Sequence, residues 1–362
     1  MTGGIHQFVP MLHVGDAVGQ HTVAVRAILA ARGIRSEIYV ELDDPDTVAE
    51  TRPASAYPES AEPGDVLVYQ FATASALADR LAERPEPLVV NYHNVTPAAL
   101  FAPWDNGLAR HQLRAQQELG RLAGRAVLGV AVSEVNRADL VAAGFGATEV
   151  VPPIVRLDPA AATGGEPGGG DRPRRTGARW LAVGRLAPNK ALEDTVTALL
   201  AYRSRHDPTA ELVVVGKPAL PAYVRAVHRY VADLGLADAV RFAGKVADSA
   251  LDEAYATADV LVVSSEHEGY CLPVVEAMAA GLPVVAYREG ALPEVLGDAG
   301  VLVPTKDPVA VADAVHRLQA DGDWRAAVVA AGRARVPALG LDRAGDRLVD
   351  LLLQVRRRRP GG

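Results

Sequence analysis

Short, uninterrupted apolar runs alternate with helix-patterned stretches along most of this chain of 362 residues. Runs that are apolar on both faces are typical of parallel strands covered by helices on each side. Their alternation with helices predicts an α/β, doubly wound architecture, because parallel strands need a crossover helix between them. The predicted strands are 6–9, 37–40, 66–69, 88–92 and 128–132, then 180–183, 211–215, 240–242, 260–264, 283–286 and 300–303, with helices at 23–32 and 219–234 among others.

One segment, 160–178, interrupts this rhythm. It reads AAATGGEPGGGDRPRRTGA, and its Gly, Pro and charged residues without an apolar period predict an exposed interdomain linker. It separates 1–159 from 179–340, and each part is long enough for its own core. We expect two Rossmann-like domains that bind ligands at the carboxyl ends of their strands. Residues 341–362 read as a last amphipathic helix followed by a basic tail.

Composition and charge narrow the function classes. A net charge of −7 argues against general nucleic-acid binding, which needs a basic face. No apolar run approaches the roughly 18–20 residues that span a bilayer, and no secretory signal is recognisable. The single cysteine excludes an internal disulfide and suits a cytoplasmic protein.

Four arginines at 356–359 could contact anionic lipid at a membrane surface, although a solvated, frayed end is the favoured interpretation. The oligomeric state is not set by the sequence.

The segment SSEHEGYCLPVVEAMAAG, at 264–281, links a predicted strand to a helix. Proline is favoured at the first helical position and glycine just beyond the last, so the helix is expected to run from Pro273 to Gly281. The backbone amides just before it would then lie at a helix N-terminus, which is an anion-binding arrangement. Those amides belong to Gly269, Tyr270, Cys271 and Leu272.

Two carboxylates accompany these amides, Glu268 in the loop and Glu276 in the expected first turn of the helix. A carboxylate can accept two hydrogen bonds from a vicinal diol such as a ribose or sugar edge. Phosphate-binding amides beside diol-binding carboxylates describe a sugar-nucleotide site. The alternative is that Glu276 only complements the helix dipole and that Glu268 is solvated.

A second motif, VGRLAPNK at 183–190, follows the first strand of the second half. Gly184 ends the strand, and Arg185 and Lys190 flank a turn before the next helix. Two cations at this position could clamp a diphosphate and stabilise a leaving nucleotide without a metal. Taken alone, the motif is also compatible with an exposed basic loop. No cluster of His, Cys and Asp has metal-ligand spacing and neither a P-loop nor a GxSxG elbow is present, so no metal and no cofactor are predicted.

Together the motifs read VGRLxxxK followed by ExxxxxxxE within EGYCLPVVEAMAAGLPVV. In this the chain resembles retaining GT-B glycosyltransferases of family four, the glycogen-synthase-like group one transferases, over most of 180–318. More weakly, IHQFVPMLHVGDAVGQHTVAVRAIL resembles the first strand, glycine-rich loop and first helix of actinobacterial members. The segment VVNYHNVTP resembles the acceptor-side histidine segment of the family.

The resemblance implies a role for each matching position. Arg185 and Lys190 would bind the donor diphosphate, Glu268 the donor sugar and Glu276 the ribose diol. His93, in the N-terminal acceptor domain, would face the reacting sugar across a cleft between the two domains. The other implied positions are Gly184, Gly216, Val246 (backbone to the nucleobase), Gly269, Tyr270, Cys271 and Leu272 on the donor side, and Asp16, Gly19, Asn94 and Thr96 on the acceptor side.

Some positions depart from the family pattern or have a second interpretation. The loop reads EGYCLP where EGFGLP is common, so Cys271 replaces a glycine and loses its freedom at positive φ. Asp16 lies in GDAVG rather than GGxxxH, and a helix cap is favoured over an acceptor contact. His93 is either a core histidine bonded to a neighbouring carbonyl or a site residue, which the resemblance favours.

The sequence therefore predicts transfer of a sugar from a nucleoside-diphosphate sugar to an acceptor hydroxyl, with retention of anomeric configuration. UDP is the first choice of nucleotide and GDP the second. The acceptor would be a small molecule, a saccharide or a glycolipid, and no nucleic acid is expected as a partner. An epimerase or phosphorylase on the same scaffold, or a non-catalytic sugar-nucleotide-binding protein, remains open.

Overall fold

A computed structural model describes residues 3–13, 16–42, 50–58, 62–154 and 177–357. These residues form two units. The first contains the described residues before 100, then 106–154 and 340–357, and the second contains 100–105 and 177–339. Most of the predicted linker at 160–178, as well as the tail from Arg358 onward, lies outside the described residues.

The first unit is built on a seven-stranded sheet with the order β3-β2-β1-β4-β5-β6-β7, in which every described pair is parallel. Its strands are β1 (Ile5–Met11), β2 (Ile38–Leu42), β3 (Arg52–Pro53), β4 (Val66–Phe71), β5 (Leu88–Tyr92), β6 (Leu128–Ala131) and β7 (Thr148–Val150). The helices between and after these strands along the chain are α1 (Ala17–Ala31), α2 (Leu77–Ala82), α3 (Ala98–Phe101, whose last two residues belong to the second unit), α4 (Asn106–Ala123) and α5 (Glu134–Ala142).

The second unit has a six-stranded sheet with the order β10-β9-β8-β11-β12-β13, again parallel throughout the described pairs. Its strands are β8 (Arg179–Val183), β9 (Glu211–Val215), β10 (Val240–Gly244), β11 (Val260–Val263), β12 (Val284–Tyr287) and β13 (Val301–Val303). Its helices are α6 (Leu192–Arg205), α7 (Pro221–Asp233), α8 (Asp248–Thr257), α9 (Leu272–Ala280), α10 (Leu292–Leu296), α11 (Pro308–Ala320) and α12 (Gly322–Ala338).

The last described helix, α13 (Leu341–Arg357), packs in the first unit rather than the second. Leu348 and Leu352 are fully buried in one apolar cluster with Val25 of α1 and Val66 of β4. Gly345 permits this approach, because a Cβ there would lie 2.3 Å from Ile28 Cδ1. The core of the first unit therefore combines residues from both ends of the described chain.

The prediction of an α/β fold with two Rossmann-like parallel sheets is confirmed. The eleven predicted strands are present, with ends that shift by one or two residues. Prediction missed β3 and β7, which have two and three residues and lie at the two edges of the first sheet. Edge strands this short need no apolar run, so the pattern that marks the other strands is missing from them. No helix in the described part of the chain is long and apolar enough to cross a membrane.

We expect truncation of Leu348 to destabilise the first unit. Leu348→Ala removes a side chain with 0% exposure and should lower the free energy of unfolding by about 2–5 kcal/mol. Urea titration of the full chain measures the change. The control, Gln354→Ala, changes an exposed residue of the same helix and should stay within about 0.5 kcal/mol of the parent. Equal midpoints for the two variants would contradict the packing of α13.

Candidate functional site

The carboxyl ends of β8, β9 and β11 meet at one edge of the second sheet, because these three strands are parallel neighbours. Ligands of doubly wound sheets bind at this edge. The structure has a small pocket there, and its lining includes Gly184, Arg185, Lys190, Thr195, Ser264 and Ser265. Three of the residues predicted for donor binding therefore share one cavity.

Lys190 and Glu268 form an ion pair at this edge. Lys190 Nζ donates to Glu268 Oε1 at 2.6 Å, and Ser265 Oγ donates to the same oxygen at 2.7 Å. Glu268 is 7% exposed, so it is not a solvated loop residue. Burial lowers the pKa of Lys190, but the charge and hydrogen bond of Glu268 outweigh this effect and raise the pKa overall. The ammonium group therefore stays charged beside the pocket.

Backbone contacts between the two motifs hold this pair in place. A 3-10 turn, Pro188–Lys190, precedes α6, and Ala191 joins them in the left-handed conformation with φ 43°. The Glu266 amide donates to the Asn189 carbonyl at 2.9 Å, and Asn189 Nδ2 donates to the His267 carbonyl at 3.3 Å. The loop that carries Glu268 is thus bonded directly to the turn that ends in Lys190.

Glycines bring the ends of β8 and β9 together. A Cβ on Gly216 would lie 1.7 Å from the carbonyl oxygen of Gly184, so no larger residue fits there. A Cβ on Gly184 would lie 3.1 Å from Lys190 Cε. Arg185 is exposed at the lip of the pocket. Gly216 is therefore needed for the close approach of the two strand ends, and the ligand-binding roles of Gly184 and Gly216 stay predictions.

Cys271 occupies the N-cap position of α9 and gives it no side-chain cap. Its φ of 70° lies in the left-handed region that glycine adopts without strain. The loop keeps this conformation although a cysteine replaces the glycine common in the resembling family. Burial, followed by the charge of Glu268, raises the pKa of the thiol well above its usual value. Cys271 is therefore a neutral packing group, and its side chain does not cap the first amides of α9.

Glu276 is the fifth residue of α9, because this helix begins at Leu272. The prediction that it lies in the first turn is wrong by one residue, since the helix starts before Pro273. Glu276 accepts a hydrogen bond from Tyr255 Oη at 2.6 Å. Burial raises its pKa, and nearby Asp252 and Asp248 add to this effect against the Tyr255 hydrogen bond. A carboxylate that is half-buried near two other acids is structurally unfavourable, which marks it as a functional candidate.

The donor-side predictions thus separate into two groups. Lys190, Glu268 and the pocket lie together, whereas Glu276 pairs with Tyr255 and forms no hydrogen bond or ion pair with Arg185 or Lys190 among the described residues. Cys271 has electrostatic interactions with a member of each group, Tyr255 and Glu268. Val246 is half-buried in the loop between β10 and α8.

In the first unit, His93 follows β5 and is half-buried. Its amide donates to the Phe71 carbonyl at 2.8 Å, and its Nε2 lies 2.7 Å from Gln70 Oε1. Burial lowers the pKa of His93 to about 4, so the ring is neutral at physiological pH. Asn94 follows with φ 85°, and Thr96 is half-buried in the same loop.

Asp16 is the N-cap of α1, where its side chain accepts from the Gly19 amide at 2.8 Å. Of the two interpretations of Asp16, the structure therefore has the helix cap, which was the favoured one. Sequence reasoning assigned no role to His21, which the fold places 4.9 Å from His93, ring centre to ring centre. The sequence feature that could have indicated a site near His21 is the presence of two polar residues, Gln70 and Asn91, inside otherwise apolar strand runs.

Comparison with known proteins identifies the family. The sequence profile named "Glycosyl transferases group 1" matches residues 177–321. A D-inositol 3-phosphate glycosyltransferase from Xylanimonas cellulosilytica is 31% identical over 291 residues, which cover 76% of this chain and 68% of that protein. The chain belongs to the group 1 glycosyl transferases.

Another relative is the GDP-mannose-dependent alpha-(1-6)-phosphatidylinositol monomannoside mannosyltransferase of Mycobacterium tuberculosis, 36% identical over 167 residues. This match covers 44% of the chain and less than half of the relative, 42%. Among solved structures, Anabaena HepE in complex with UDP and glucose has a TM-score of 0.74 at 17% identity, covering 97% of this chain and 100% of that one. Sucrose-phosphate synthase from Thermosynechococcus elongatus has a TM-score of 0.73 at 22% identity, covering 98% and 99%. These likenesses confirm the expected GT-B class of fold.

The opposite environments of the two carboxylates predict opposite effects on stability. Because the pKa of Glu276 is raised in the folded state, its ionisation costs stability as pH rises through that pKa. Glu276→Gln should therefore raise Tm relative to the parent at about pH 8, and the gain should shrink towards about pH 4, where the parent carboxyl is protonated.

Glu268→Gln is the matched comparison, since it leaves Lys190 without a counter-charge. We expect it to lower the free energy of unfolding by about 1–3 kcal/mol at neutral pH. Calorimetry across the pH range measures both variants. A Tm gain for Glu268→Gln, or a loss for Glu276→Gln, would show that the ion pair and the buried acid have been interpreted wrongly.

Proposed function

We propose that this protein transfers a sugar from a nucleoside-diphosphate sugar to an acceptor hydroxyl, with retention of anomeric configuration and without a metal or other cofactor. The observation that carries the proposal is the ion pair of Lys190 and Glu268 beside the pocket that Arg185 also lines. Such a site offers positive charge to a diphosphate and a held carboxylate to the hydroxyls next to it.

The cations and the start of α9 would act on the leaving group. When the bond between the sugar anomeric carbon and the diphosphate oxygen breaks, negative charge develops on that oxygen. Arg185, Lys190 and the uncapped amides near Cys271 supply the compensating positive potential. Lys190 meets this need because its pKa is raised and its charge is therefore retained.

Retention follows from a front-face substitution. The acceptor oxygen bonds to the anomeric carbon on the side that the diphosphate leaves, and the departing phosphate oxygen takes the acceptor proton. No enzyme nucleophile is needed, which agrees with the neutral, buried thiol of Cys271. Within the described residues, no group of three or more His, Cys, Asp or Glu side chains is placed to hold a metal. In this proposal Arg185 and Lys190 carry the electrostatic role.

The two carboxylates would hold hydroxyls of the donor. Glu268 is fixed by Lys190 and Ser265 and is assigned to the sugar hydroxyls. Glu276 is assigned to the ribose diol, because its burial near acids disfavours the carboxylate, whereas a bound diol would donate two hydrogen bonds to it. His93 is assigned to the reacting sugar from the acceptor side.

A UDP-sugar is our first choice of donor, in line with the UDP in the structure of HepE. The mycobacterial relative is described as GDP-mannose-dependent, which favours GDP-mannose as the second candidate. Both named relatives act on molecules that contain inositol. We therefore infer an acceptor with a polyhydroxylated ring, as in a cyclitol, a saccharide or a glycolipid head group.

Loss of both cations should abolish efficient transfer. Arg185→Ala with Lys190→Ala should lower kcat by about 10²–10³-fold, because the charge on the departing diphosphate loses its stabilisation. Product formation from the donor is measured in the presence of EDTA, which should not affect the parent enzyme. The control is Arg225→Ala, an exposed cation on α7. Normal turnover of the double variant would refute the proposed leaving-group chemistry, and loss of parent activity in EDTA would refute metal independence.

Glu276→Ala should weaken nucleotide binding by about tenfold or more, since a diol held by a carboxylate contributes more than 1 kcal/mol. Isothermal titration with UDP and GDP measures the affinity. A parallel thermal-shift screen of sugar nucleotides identifies the donor, because stabilisation grows with ligand concentration over Kd. Glu253→Ala, an exposed acid on α8, is the control. Unchanged affinity in Glu276→Ala would exclude the ribose role.

A further inference from the structure

Three buried carboxamides lie on neighbouring strands in the core of the first unit. Gln7 is on β1, Gln70 on β4 and Asn91 on β5, with exposures of 0%, 0% and 1%. Gln70 and Asn91 are direct partners in the sheet register. Burying an amide is costly unless its hydrogen bonds are satisfied, and central parallel strands are usually apolar. The stability of the sheet alone therefore does not explain why these three positions are polar.

The three carboxamides form a hydrogen-bonded chain with a defined direction. Gln7 Nε2 donates to the Thr22 carbonyl at 3.0 Å, and Gln70 Nε2 donates to Gln7 Oε1 at 2.8 Å. A backbone carbonyl can only accept, so it fixes which end of the Gln7 amide faces it, and Gln7 in turn fixes Gln70. The reverse orientation would set the Gln7 and Thr22 oxygens against each other in a dry core.

The far end of this chain is His93. With its amide nitrogen committed to Gln7, Gln70 presents Oε1 to His93 Nε2 at 2.7 Å and to Asn91 Nδ2 at 2.9 Å. An acceptor at Nε2 places the proton of a neutral imidazole on that nitrogen. The lone pair of the ring is then on Nδ1.

His21 packs against His93 and, within the part of the chain that the structure describes, is the titratable side chain in ring contact with it. The two rings meet edge to face, and His21 is 1% exposed. Burial, followed by the charge of His93, lowers the pKa of His21 well below its usual value. Its Nε2 lies 2.7 Å from Asn91 Nδ2 and its Nδ1 lies 3.1 Å from the Ile154 amide. A neutral ring can accept only one of these hydrogen bonds, and an imidazolium could accept neither.

We propose that Gln70 is the positioning residue for His93: its side-chain oxygen holds the imidazole in the Nε2–H tautomer, so that Nδ1 accepts a hydroxyl of the reacting sugar. This inference rests on the proposed function, in which His93 faces that sugar. The chain from the Thr22 carbonyl through Gln7 orients the Gln70 amide, and neutral His21 keeps positive charge away from the ring.

The tautomer can be measured without any substrate. Nitrogen-15 spectra of histidine-labelled full-length protein, with His93→Ala for assignment, should show His93 protonated at Nε2. Gln70→Leu should give a mixture of tautomers. Gln70→Glu should keep the Nε2–H form and raise the pKa of His93 by about one unit or more, because a carboxylate stabilises the imidazolium. Gln112→Leu changes another buried glutamine of the same unit and should leave the His93 signals unchanged.

Two spectral outcomes would overturn the inference. One is an Nδ1–H tautomer in the parent protein, and the other is a single Nε2–H tautomer that persists in Gln70→Leu. If Gln70→Leu fails to fold, Gln70→Glu decides, because an unchanged pKa of His93 in that variant contradicts the contact.

Turnover provides the functional half of the test. Gln70→Leu should lower kcat about tenfold with the donor KM unchanged, and the same substitution in a His93→Ala background should change kcat less than about twofold. Equal losses in both backgrounds would mean that Gln70 acts independently of His93. If the parent protein transfers no sugar at all, the proposed function fails, while the spectra still decide whether Gln70 sets the tautomer.

Discussion

The ion pair between Lys190 and Glu268 is the interaction on which the pocket edge of the second unit, at the carboxyl ends of β8, β9 and β11, depends. Each side chain is largely withdrawn from water, and neither would remain charged there at low cost without the other. The pair joins two loops that follow different strands, and two hydrogen bonds of Asn189, one through its side chain and one through its carbonyl, reinforce the same junction. A ligand diphosphate would therefore meet a cation already in place, which reduces the reorganisation needed on binding.

Much of this arrangement could be predicted because it is encoded locally. Continuous apolar runs marked eleven strands, and the spacing from Gly184 to Lys190 set both cations at the end of one strand. The predicted start of α9 was one residue too late, because the helix begins at Leu272, before the proline that indicated its start. Glu276 therefore lies one residue beyond the first turn. The ion pair itself was not predictable from spacing, since its partners are 78 residues apart and meet only through the sheet.

The buried chain in the first unit was harder to foresee. The chain is built from four separate elements, which contribute Gln7, His21, Gln70 and Asn91. Each of these residues, taken alone, looks like an ordinary polar residue in or next to an apolar run. Only the strand order, which sets β1, β4 and β5 side by side, brings them together. What the sequence does reveal is an inconsistency, a carboxamide inside a run that should be wholly apolar. Such local conflicts are where functional residues are most often found.

The placement of α13 in the first unit makes that unit discontinuous along the chain. Helix α1 and strand β4 emerge early in synthesis, yet the side chains that cover them, Leu348 and Leu352, are made after the whole second unit. The second unit, whose strands and helices are contiguous apart from residues 100–105, can complete its sheet first. During translation this part of the N-terminal sheet would therefore stay uncovered until α13 is made, and exposed apolar surface on a nascent chain favours aggregation.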